Sequence, residues 1–412
     1  MRAGISFDSV SRKPVGWNDY FRSRFFADMI PGEIIMKLVW IVPHFPPHIG
    51  GGEKLYHDVC IGLMERGCEV RVLTSNSGGV TGYHDVDGID VYYFSWKLMF
   101  GHPVVKSSDI REHIKWSDIV HTTIFSTAMI SNRIARSEGK PCVTTLHEVM
   151  GRKWFWFEHN PLKAAAFRVY ESMIVHQTKA VHVVSNATLK DYQAAKKNGG
   201  RAYMIYNFPD LPAISVIENE DITFRKCFGL TEGMRGILYF GRPAPNKGIF
   251  VLLKAIKILA DKGTLPDSVR FCMILAPNPS SAYGKAIRIM KKHGIEDHMI
   301  VRPSMERNRL LKVLSGADCC VIPSITEGFG YTAVETCYYK VPVICSNGGS
   351  LPEVVSGKCL FFENRDPNDL AEKIDIYIRE ELVLFDNIEE KHFDREEILD
   401  KYLEMYEDML KA

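Results

Sequence analysis

The chain has 412 residues, of which 46% are hydrophobic and 25% charged, and its formal net charge is +1. This composition is typical of globular proteins, and the near-zero charge gives no overall electrostatic indication of nucleic-acid binding. The length is enough for two or three domains. The ten cysteines include no C-x-x-C pair and several lie in apolar runs, which argues against a disulfide framework and favours reduced thiols in a cytosolic protein.

The N-terminal region differs in character from the rest of the chain. Residues 1–35 are polar and irregular and lack the charged-then-apolar order of a signal peptide. Met36 then opens the apolar stretch MKLVWIVPHF. We therefore predict that residues 1–35 form an irregular extension outside the folded domains. No stretch approaches the roughly 20 consecutive apolar residues of a membrane span. The cysteine pattern favours a cytoplasmic location.

Strands and helices alternate after this point. The unbroken apolar run at 37–42 predicts a buried strand. Residues 53–67 predict a helix, because apolar residues recur at every fourth position and Gly67 stands at the C-terminal cap. Residues 69–74 predict the next strand. Repeated strand–helix–strand units indicate a parallel sheet covered by helices on both faces.

The alternation weakens in the middle of the chain. Residues 207–236 are rich in proline, glycine and charge, and we interpret them as a linker. The pattern resumes with a strand at 236–240 and a helix at 247–263. The chain closes with a helix at 395–410.

Two Rossmann-like domains are predicted from this α/β pattern. They comprise residues 36–209 and 210–394, and the closing helix lies within residues 395–412. Such sheets bind ligands at the carboxyl ends of their strands. A ligand site is therefore expected in a cleft between the two domains.

A glycine run, Gly50 to Gly52, follows the first predicted strand and enters the first predicted helix. Glycines let the backbone approach a ligand closely, and a helix N-terminus favours negative charge. Gly51 and Gly52 are therefore candidate phosphate contacts, and a tight strand–helix turn is the alternative. His44 and His48 lack a matching cysteine or carboxylate spacing, so no metal site is predicted.

A pair of cations marks the start of the second predicted domain. In YFGRPAPNKG, Arg242 and Lys247 follow a strand end and flank the start of a helix. Two cations beside a helix N-terminus suit a diphosphate. Two solvated surface charges are the alternative interpretation.

The segment ITEGFGYTAVE holds Glu327 in a glycine loop and Glu335 about one turn into a helix that begins near Tyr331. Glycosidase carboxyl groups stand about 5–9.5 Å apart, whereas a continuous helix would separate these two by roughly 12 Å; the glycine loop leaves that distance open. Carboxylates accept hydrogen bonds from sugar hydroxyls, and the GFG amides favour an anion. We therefore favour two hydroxyl clamps around an anion site, with two solvated carboxylates as the alternative.

Together these segments resemble the retaining family 4 glycosyltransferases, which have the GT-B fold. The resemblance runs from about residue 37 to the end, and its most specific element is the E-x7-E pair, Glu327 and Glu335. The segments GGGE, VVSNATLKDY, GRPAPNKG and SNGGSLPEVV occur in the expected order. The resemblance implies two Rossmann-like domains that face each other across a cleft, with the C-terminal helix crossing back onto the N-terminal domain.

The resemblance also implies roles for individual residues. Glu327 would hold hydroxyls of the donor sugar, and Glu335 would bind the ribose. Arg242 and Lys247 would neutralise the diphosphate as it leaves. His147 would lie near the donor sugar, although a core histidine at a strand end is the alternative. The other donor-binding residues that it implies are Gly51, Gly52, Ser324, Gly328, Phe329 and Gly330.

The implied reaction moves a hexose, with retention, from a UDP- or GDP-linked sugar to a hydroxyl of a glycan or a lipid-linked acceptor. It uses no enzyme nucleophile, no metal and no cofactor besides the nucleotide sugar as co-substrate. The leaving phosphate oxygen would accept the acceptor's proton while the cations stabilise its charge. A non-catalytic nucleotide-sugar-binding scaffold and a GT-B-like sugar-nucleotide epimerase are the alternatives. No nucleic-acid partner is expected.

The segment GRKWFWFEHN places consecutive aromatic residues, including Trp154 and Trp156, after the cations Arg152 and Lys153. A run with no helical or strand period is hard to bury on one face. Aromatic side chains beside cations suit a membrane interface or an acceptor sugar. The segment is therefore a hypothetical acceptor loop or a peripheral contact with the inner face of the membrane, and a packed loop edge is the alternative.

Overall fold

The computed structural model describes residues 36–412 except 49, 77–78, 100–101, 159, 197–198, 218–220, 277–279 and 381. The extension predicted at 1–35 lies outside the described residues. Within the part that the structure describes, no helix has both the length and the apolar character that crossing a bilayer requires.

Contacts between residues group the chain into two compact units. One comprises the described residues up to Cys142 together with Tyr406–Ala412, and the other comprises Val143–Met405. This division falls earlier along the chain than the predicted boundary at 209–210. The predicted domain limits stay a prediction.

The described chain up to residue 204 contains ten strands, β1 to β10, and eight of them belong to the first sheet. In order along the chain, the strands of this half are β1 Lys37–Ile41, β2 Glu69–Ser75, β3 Gly82–Val86, β4 Ile89–Phe94, β5 Lys97–Met99, β6 His102–Val104, β7 Ile119–Thr123, β8 Cys142–Leu146, β9 Ala180–Val183 and β10 Arg201–Met204. Within the first unit the strand order is β7-β1-β2-β4-β3, within the second it is β10-β9-β8, and β5 and β6 form a separate pair. Within the sheet the pairs are parallel, except that β3 runs antiparallel to β4. The separate pair of β5 and β6 is also antiparallel.

Helices connect these strands. They are α1 Gly51–Glu65, α2 Ser107–Trp116, α3 Ala128–Ser137, α4 Trp154–Phe157, α5 Pro161–Gln177 and α6 Asn186–Ala195. The predicted first helix is thus confirmed within two residues of its limits. Gly67 adopts φ 85° just beyond it, a conformation that suits glycine at a helix end.

The second sheet has seven strands, all in the second unit. They are β11 Arg235–Gly241, β12 Val269–Leu275, β13 Met299–Pro303, β14 Cys319–Ile322, β15 Val343–Ser346, β16 Gly357–Phe362 and β17 Asp386–Ile388, in the order β13-β12-β11-β14-β15-β16-β17. Only β17 pairs in the antiparallel sense. All four residues of β14 and of β15 are buried, because helices cover both faces of a parallel sheet.

The remaining helices complete the α/β pattern. They are α7 Ile214–Ile217, α8 Phe224–Phe228, α9 Ile249–Asp261, α10 Ser280–His293, α11 Arg307–Ser315, α12 Tyr331–Tyr338, α13 Leu351–Val354, α14 Pro367–Ile378 and α15 Arg395–Leu410. The predicted closing helix is confirmed as α15. Its last residues belong to the first unit, where the Tyr406 hydroxyl lies 2.6 Å from Nδ1 of His121.

The linker predicted at 207–236 is wrong for its second half. Phe224 and Phe228 of α8 are buried in the hydrophobic core beside Leu238 of β11. The helix has only five residues, so proline, glycine and charge on either side obscure its apolar face in the sequence.

Candidate functional site

Glu327 lies in the loop that follows β14 and is 8% exposed. The Lys247 ammonium donates to both carboxylate oxygens, at 2.7 and 2.8 Å. The Ser324 hydroxyl donates to Oε1 of the same carboxylate at 2.8 Å. The structure therefore brings together three of the predicted residues, and the buried carboxylate is compensated by a cation and a hydroxyl.

Lys247 is held against this loop by backbone packing. It ends a 3-10 turn, Pro245–Lys247, immediately before α9. Gly248 follows with φ 68°, and a Cβ at this position would lie 1.6 Å from the Pro323 carbonyl oxygen. Only glycine allows this approach, so the sequence NKG sets the place from which Lys247 reaches Glu327.

Two further glycines let other chain segments close around Glu327. A Cβ on Gly328 would lie 2.0 Å from the carbonyl oxygen of His147. A Cβ on Gly349, which has φ 59°, would lie 2.7 Å from the backbone nitrogen of Glu327. The glycine-rich segments predicted as ligand loops therefore have a packing function in this structure.

Phe329 and Gly330 immediately precede α12. The Phe329 side chain is buried and packs on Phe393, with ring centroids 5.0 Å apart, so only its backbone can face a ligand. Gly330 has φ 94° and caps α12, and no side chain caps this helix.

A pocket lies beside the start of α12, at the carboxyl ends of β11 and β14. It is lined by Tyr239, Phe240, Gly241, Lys247, Val321, Ile322, Pro323, Ser324 and Thr332.

Glu335 lies in the second turn of α12, where its carboxylate is buried. Nη1 of Arg307, from α11, lies 2.7 Å from its Oε1. Burial raises the pKa of Glu335, and the Arg307 guanidinium opposes this shift. Arg307 was not predicted from the sequence, because a partner on another helix leaves no local spacing pattern.

Glu148 is a second buried carboxyl group near the Glu327 loop. The Thr326 hydroxyl donates to its Oε1 at 2.9 Å. Burial raises the pKa of Glu148, and the nearby charge of Glu327 raises it further. Glu148 was not predicted from the sequence, although its place just after a strand end and next to His147 was a usable signal.

His147 follows β8, and its backbone contacts the Glu327 loop at Gly328. Its carbonyl oxygen also accepts a hydrogen bond from the Thr188 hydroxyl at 3.3 Å. Burial lowers the pKa of His147 to about 4. The imidazole is therefore neutral near pH 7, and it can serve as a neutral hydrogen-bonding group.

Arg242, Gly51 and Gly52 are the remaining predicted donor residues. Arg242 is exposed just after β11. Gly51 and Gly52 open α1 in the first unit, after Gly50 at the N-cap; their contact with a donor stays a prediction. Among the described residues, no group of three or more His, Cys, Asp or Glu side chains is arranged for a metal ion.

The predicted aromatic loop is a helical segment. A 3-10 turn, Gly151–Lys153, leads into α4. Trp154 packs on Phe167 of α5 with ring centroids 5.0 Å apart. The Trp156 side chain is 45% exposed and stacks under the Arg365 guanidinium at 4.4 Å.

The two predicted cations of this segment differ in their surroundings. Lys153 forms an ion pair with Asp191 at 2.6 Å, whereas the Arg152 side chain is exposed. The expectation of an irregular loop is therefore corrected, because Trp154 and Lys153 both bind the segment to neighbouring helices.

Glu353, in α13, makes its contacts at the N-terminus of another helix. Its carboxylate accepts hydrogen bonds from the backbone nitrogens of Asn186 and Ala187, both at 2.9 Å, and from the Tyr206 hydroxyl at 3.0 Å. It therefore satisfies the first amides of α6, whose N-cap Ser185 accepts from Thr188. The N-terminus of α6 is filled by the protein itself, in contrast to that of α12.

Two family models match the chain. The model described as Glycosyltransferase Family 4 matches residues 49–211, and the model described as Glycosyl transferases group 1 matches residues 221–394. An uncharacterized glycosyltransferase of Methanocaldococcus jannaschii is 23% identical over 368 residues, which are 82% of this chain and 88% of that protein. D-inositol 3-phosphate glycosyltransferase of Mycobacteroides abscessus is 24% identical over 82% of this chain and 79% of that protein.

Solved structures share the fold. Sucrose-phosphate synthase from Thermosynechococcus elongatus superposes with a TM-score of 0.68 at 18% identity, over 92% of this chain and 100% of that one. Anabaena HepE in complex with UDP and glucose superposes with a TM-score of 0.63 at 16% identity, over 91% of this chain and 95% of that one. At these identities the likeness concerns the fold alone.

Proposed function

Because the chain belongs to the group 1 and family 4 glycosyltransferases of the GT-B fold, we propose that it transfers a hexose from a UDP- or GDP-linked sugar to a hydroxyl of a glycan or lipid-linked acceptor, with retention. The predicted family and fold are confirmed. The donor, the acceptor, the stereochemistry and the residue roles are the content of the proposal.

One observation carries the proposal. Lys247, held by both oxygens of Glu327, lines a pocket together with Ser324 and with Thr332 from the first turn of α12. A helix N-terminus and a cation together favour a phosphate group. The Glu327 carboxylate, which contacts Lys247 but does not itself line the pocket, can accept hydrogen bonds from sugar hydroxyls. These neighbouring groups therefore suit a ligand that joins a sugar to a phosphate.

The proposed reaction gives each of these groups a role. Two of the three N–H donors of Lys247 engage Glu327, so one remains for an oxygen of the leaving diphosphate. The bond from the anomeric carbon to the diphosphate oxygen breaks, and a bond from that carbon to the acceptor oxygen forms on the same face. The acceptor's proton passes to the departing phosphate oxygen, whose charge Lys247 and Arg242 stabilise.

Similar structures support the choice of donor. The Anabaena HepE structures contain UDP, UDP with glucose, and UDP-glucose. The Glu335 carboxylate on α12 is the proposed ligand of the ribose hydroxyls. It is oriented by Arg307, which fixes one of its oxygens and leaves acceptor capacity on the other.

The test is a panel of UDP- and GDP-sugars incubated with the protein and candidate acceptors, with and without EDTA. Release of nucleoside diphosphate is measured, and the anomeric configuration of the product is read by NMR. We expect one donor to turn over with retention and undiminished by EDTA. Lys247→Ala should lower kcat by about 100-fold or more, whereas Lys257→Ala, which removes an exposed cation paired with Asp261 on α9, should leave kcat unchanged.

The alternatives give different results in the same panel. A binding scaffold would show a rise in Tm with a nucleotide sugar and no turnover of any donor. An epimerase would convert the donor sugar into its epimer without needing an acceptor. An inverted product would overturn the retaining mechanism while leaving transferase activity in place.

A further inference from the structure

The exposed side of residues 152–176 is both apolar and basic. Helix α5 buries one face, which consists of Ala164, Glu171, Ile174 and Val175. It exposes a second one, on which Leu162 is 81% exposed, Val169 60% and Met173 50%. Large apolar side chains seldom cluster on an open surface without a partner.

These three residues form a single stripe. At 3.6 residues per turn, positions 162, 169 and 173 project within about 40° of one another. The exposed Ala166 lies on the same line. The stripe therefore runs along most of a 17-residue helix, opposite the face that packs on the protein.

The preceding aromatic segment is fixed to the same helix. The Glu171 carboxylate, on the buried face of α5, accepts hydrogen bonds from the backbone nitrogens of Met150 and Gly151, at 2.8 and 2.6 Å. Phe155 and Trp156 lie in α4, the next helix along the chain, and their side chains are 44% and 45% exposed. We call the exposed residues Arg152, Phe155, Trp156, Leu162, Lys163, Ala166, Arg168, Val169, Met173 and His176 the basic apolar surface.

The charge of this surface is positive. Arg152 and Arg168 are exposed cations. Lys163 is also exposed, but it forms an ion pair with Glu158 at 2.7 Å, and Glu171 is buried. The two arginines are therefore the cationic excess. The whole chain has a net charge of only +1, so the excess of cations here is local.

We infer that the basic apolar surface binds the face of an anionic lipid bilayer. An amphipathic helix that combines an apolar stripe with cations lies in the interface, with its apolar side among the acyl chains and its cations at the headgroups. Tryptophan and arginine side chains are also found at this interfacial depth of a bilayer. A second copy of the chain fits less well, because a symmetric contact would bring these cations against themselves.

Co-sedimentation of the full chain with vesicles tests this inference. We expect binding to vesicles of phosphatidylcholine with about one third phosphatidylglycerol, and about tenfold less to phosphatidylcholine alone. Binding should fall as salt is added. Leu162→Asp with Val169→Asp should lower the partition coefficient about tenfold or more, and Arg168→Ala about fivefold for the anionic vesicles only.

Matched controls separate this effect from misfolding and from catalysis. Val216→Asp introduces the same charge at another exposed apolar side chain, on α7, and should change binding less than twofold. Unchanged Tm values would show that the variants fold. The measurement needs no donor, so its outcome does not depend on the proposed reaction. Absence of binding to the anionic vesicles overturns the inference, as does a dimer in sedimentation velocity that Leu162→Asp dissociates and that does not bind lipid.

Discussion

The two glutamates of the E-x7-E motif lie in different surroundings. Glu327 sits in a loop, where both oxygens accept from a lysine and one also accepts from Ser324. Glu335 sits in a regular helix and has a single arginine partner, Arg307. One motif therefore contains a carboxylate that positions a cation and a carboxylate that stands as a fixed acceptor.

Because the two environments differ, the motif does not form a symmetrical acid–base pair. Two carboxyl groups act as a catalytic acid and base when they face one reacting bond and their environments make their pKa values different. Here each carboxylate is already committed to its own cation. The comparison therefore predicts unequal effects when each is changed.

The largest effect should come from removing each carboxylate in turn. Glu327→Ala releases Lys247, so we expect kcat to fall about 100-fold or more. Glu335→Ala should raise the donor KM about tenfold, with kcat nearly unchanged, because it removes a hydrogen-bond acceptor from bound donor. Steady-state kinetics over a range of donor concentration separates the two. Equal losses of kcat with unchanged KM would restore the hypothesis of paired catalysis.

The next effect tests what holds the Glu327 loop in place. Gly328→Ala would bring a Cβ within 2.0 Å of the His147 carbonyl, so we expect it to lower the free energy of unfolding by about 2 kcal/mol and to reduce kcat. Denaturant unfolding measures the first quantity.

Gly284→Ala is the matched control for that substitution. Gly284 lies within α10, and a Cβ there meets no atom within 4 Å. Alanine should stabilise this helix by roughly 0.5–1 kcal/mol. A Gly328→Ala protein as stable and active as the parent would show that the loop can shift without loss.

A smaller effect is expected from the partner of Glu335. Arg307→Ala leaves a buried carboxylate without its cation, which is destabilising, but the Arg307 side chain is 37% exposed and water screens part of the charge. We expect a loss of about 1 kcal/mol of stability and a higher donor KM. The same stability in Arg307→Ala and Lys257→Ala would argue that Arg307 contributes no more than a surface charge.

The smallest effect concerns pH. Burial holds the pKa of Glu335 above its ordinary value of 4.5, so this carboxylate takes up a proton at a higher pH than a solvated glutamate does. As the pH is lowered from neutrality, donor affinity should therefore begin to fall before the pH reaches 4.5. The donor KM measured against pH should show this rise, and Glu335→Gln should flatten it. An identical pH profile in both proteins would remove Glu335 from donor binding.

Much of the fold could be predicted because its signals are local. Buried parallel strands such as β14 read as continuous apolar runs, and helices such as α9 repeat their apolar residues at helical spacing. The short helix α8 was missed for the opposite reason. Its five residues are fewer than two helical turns, too few for a periodic pattern to appear.

The site was predicted only in part. Glu327, Ser324 and Lys247 belong to segments that follow strand ends, where parallel sheets place ligand-binding residues. Arg307 and Glu148 could not be paired with their partners from the sequence, because each reaches its partner from a different element. The stripe on α5 was also missed, since an apolar residue on a helix does not reveal which face the protein covers.

The amino-acid sequence alone defines which residue types stand at the strand ends, and where glycine permits a sharp turn or a close approach of the backbone. The tertiary structure alone decided that Lys247 neutralises Glu327, that Arg307 neutralises Glu335, and that Glu353 fills one helix N-terminus while α12 lacks a side-chain cap. The physical reason is that local conformation depends on neighbours along the chain, whereas the partner of a buried charge depends on which distant segments pack against it.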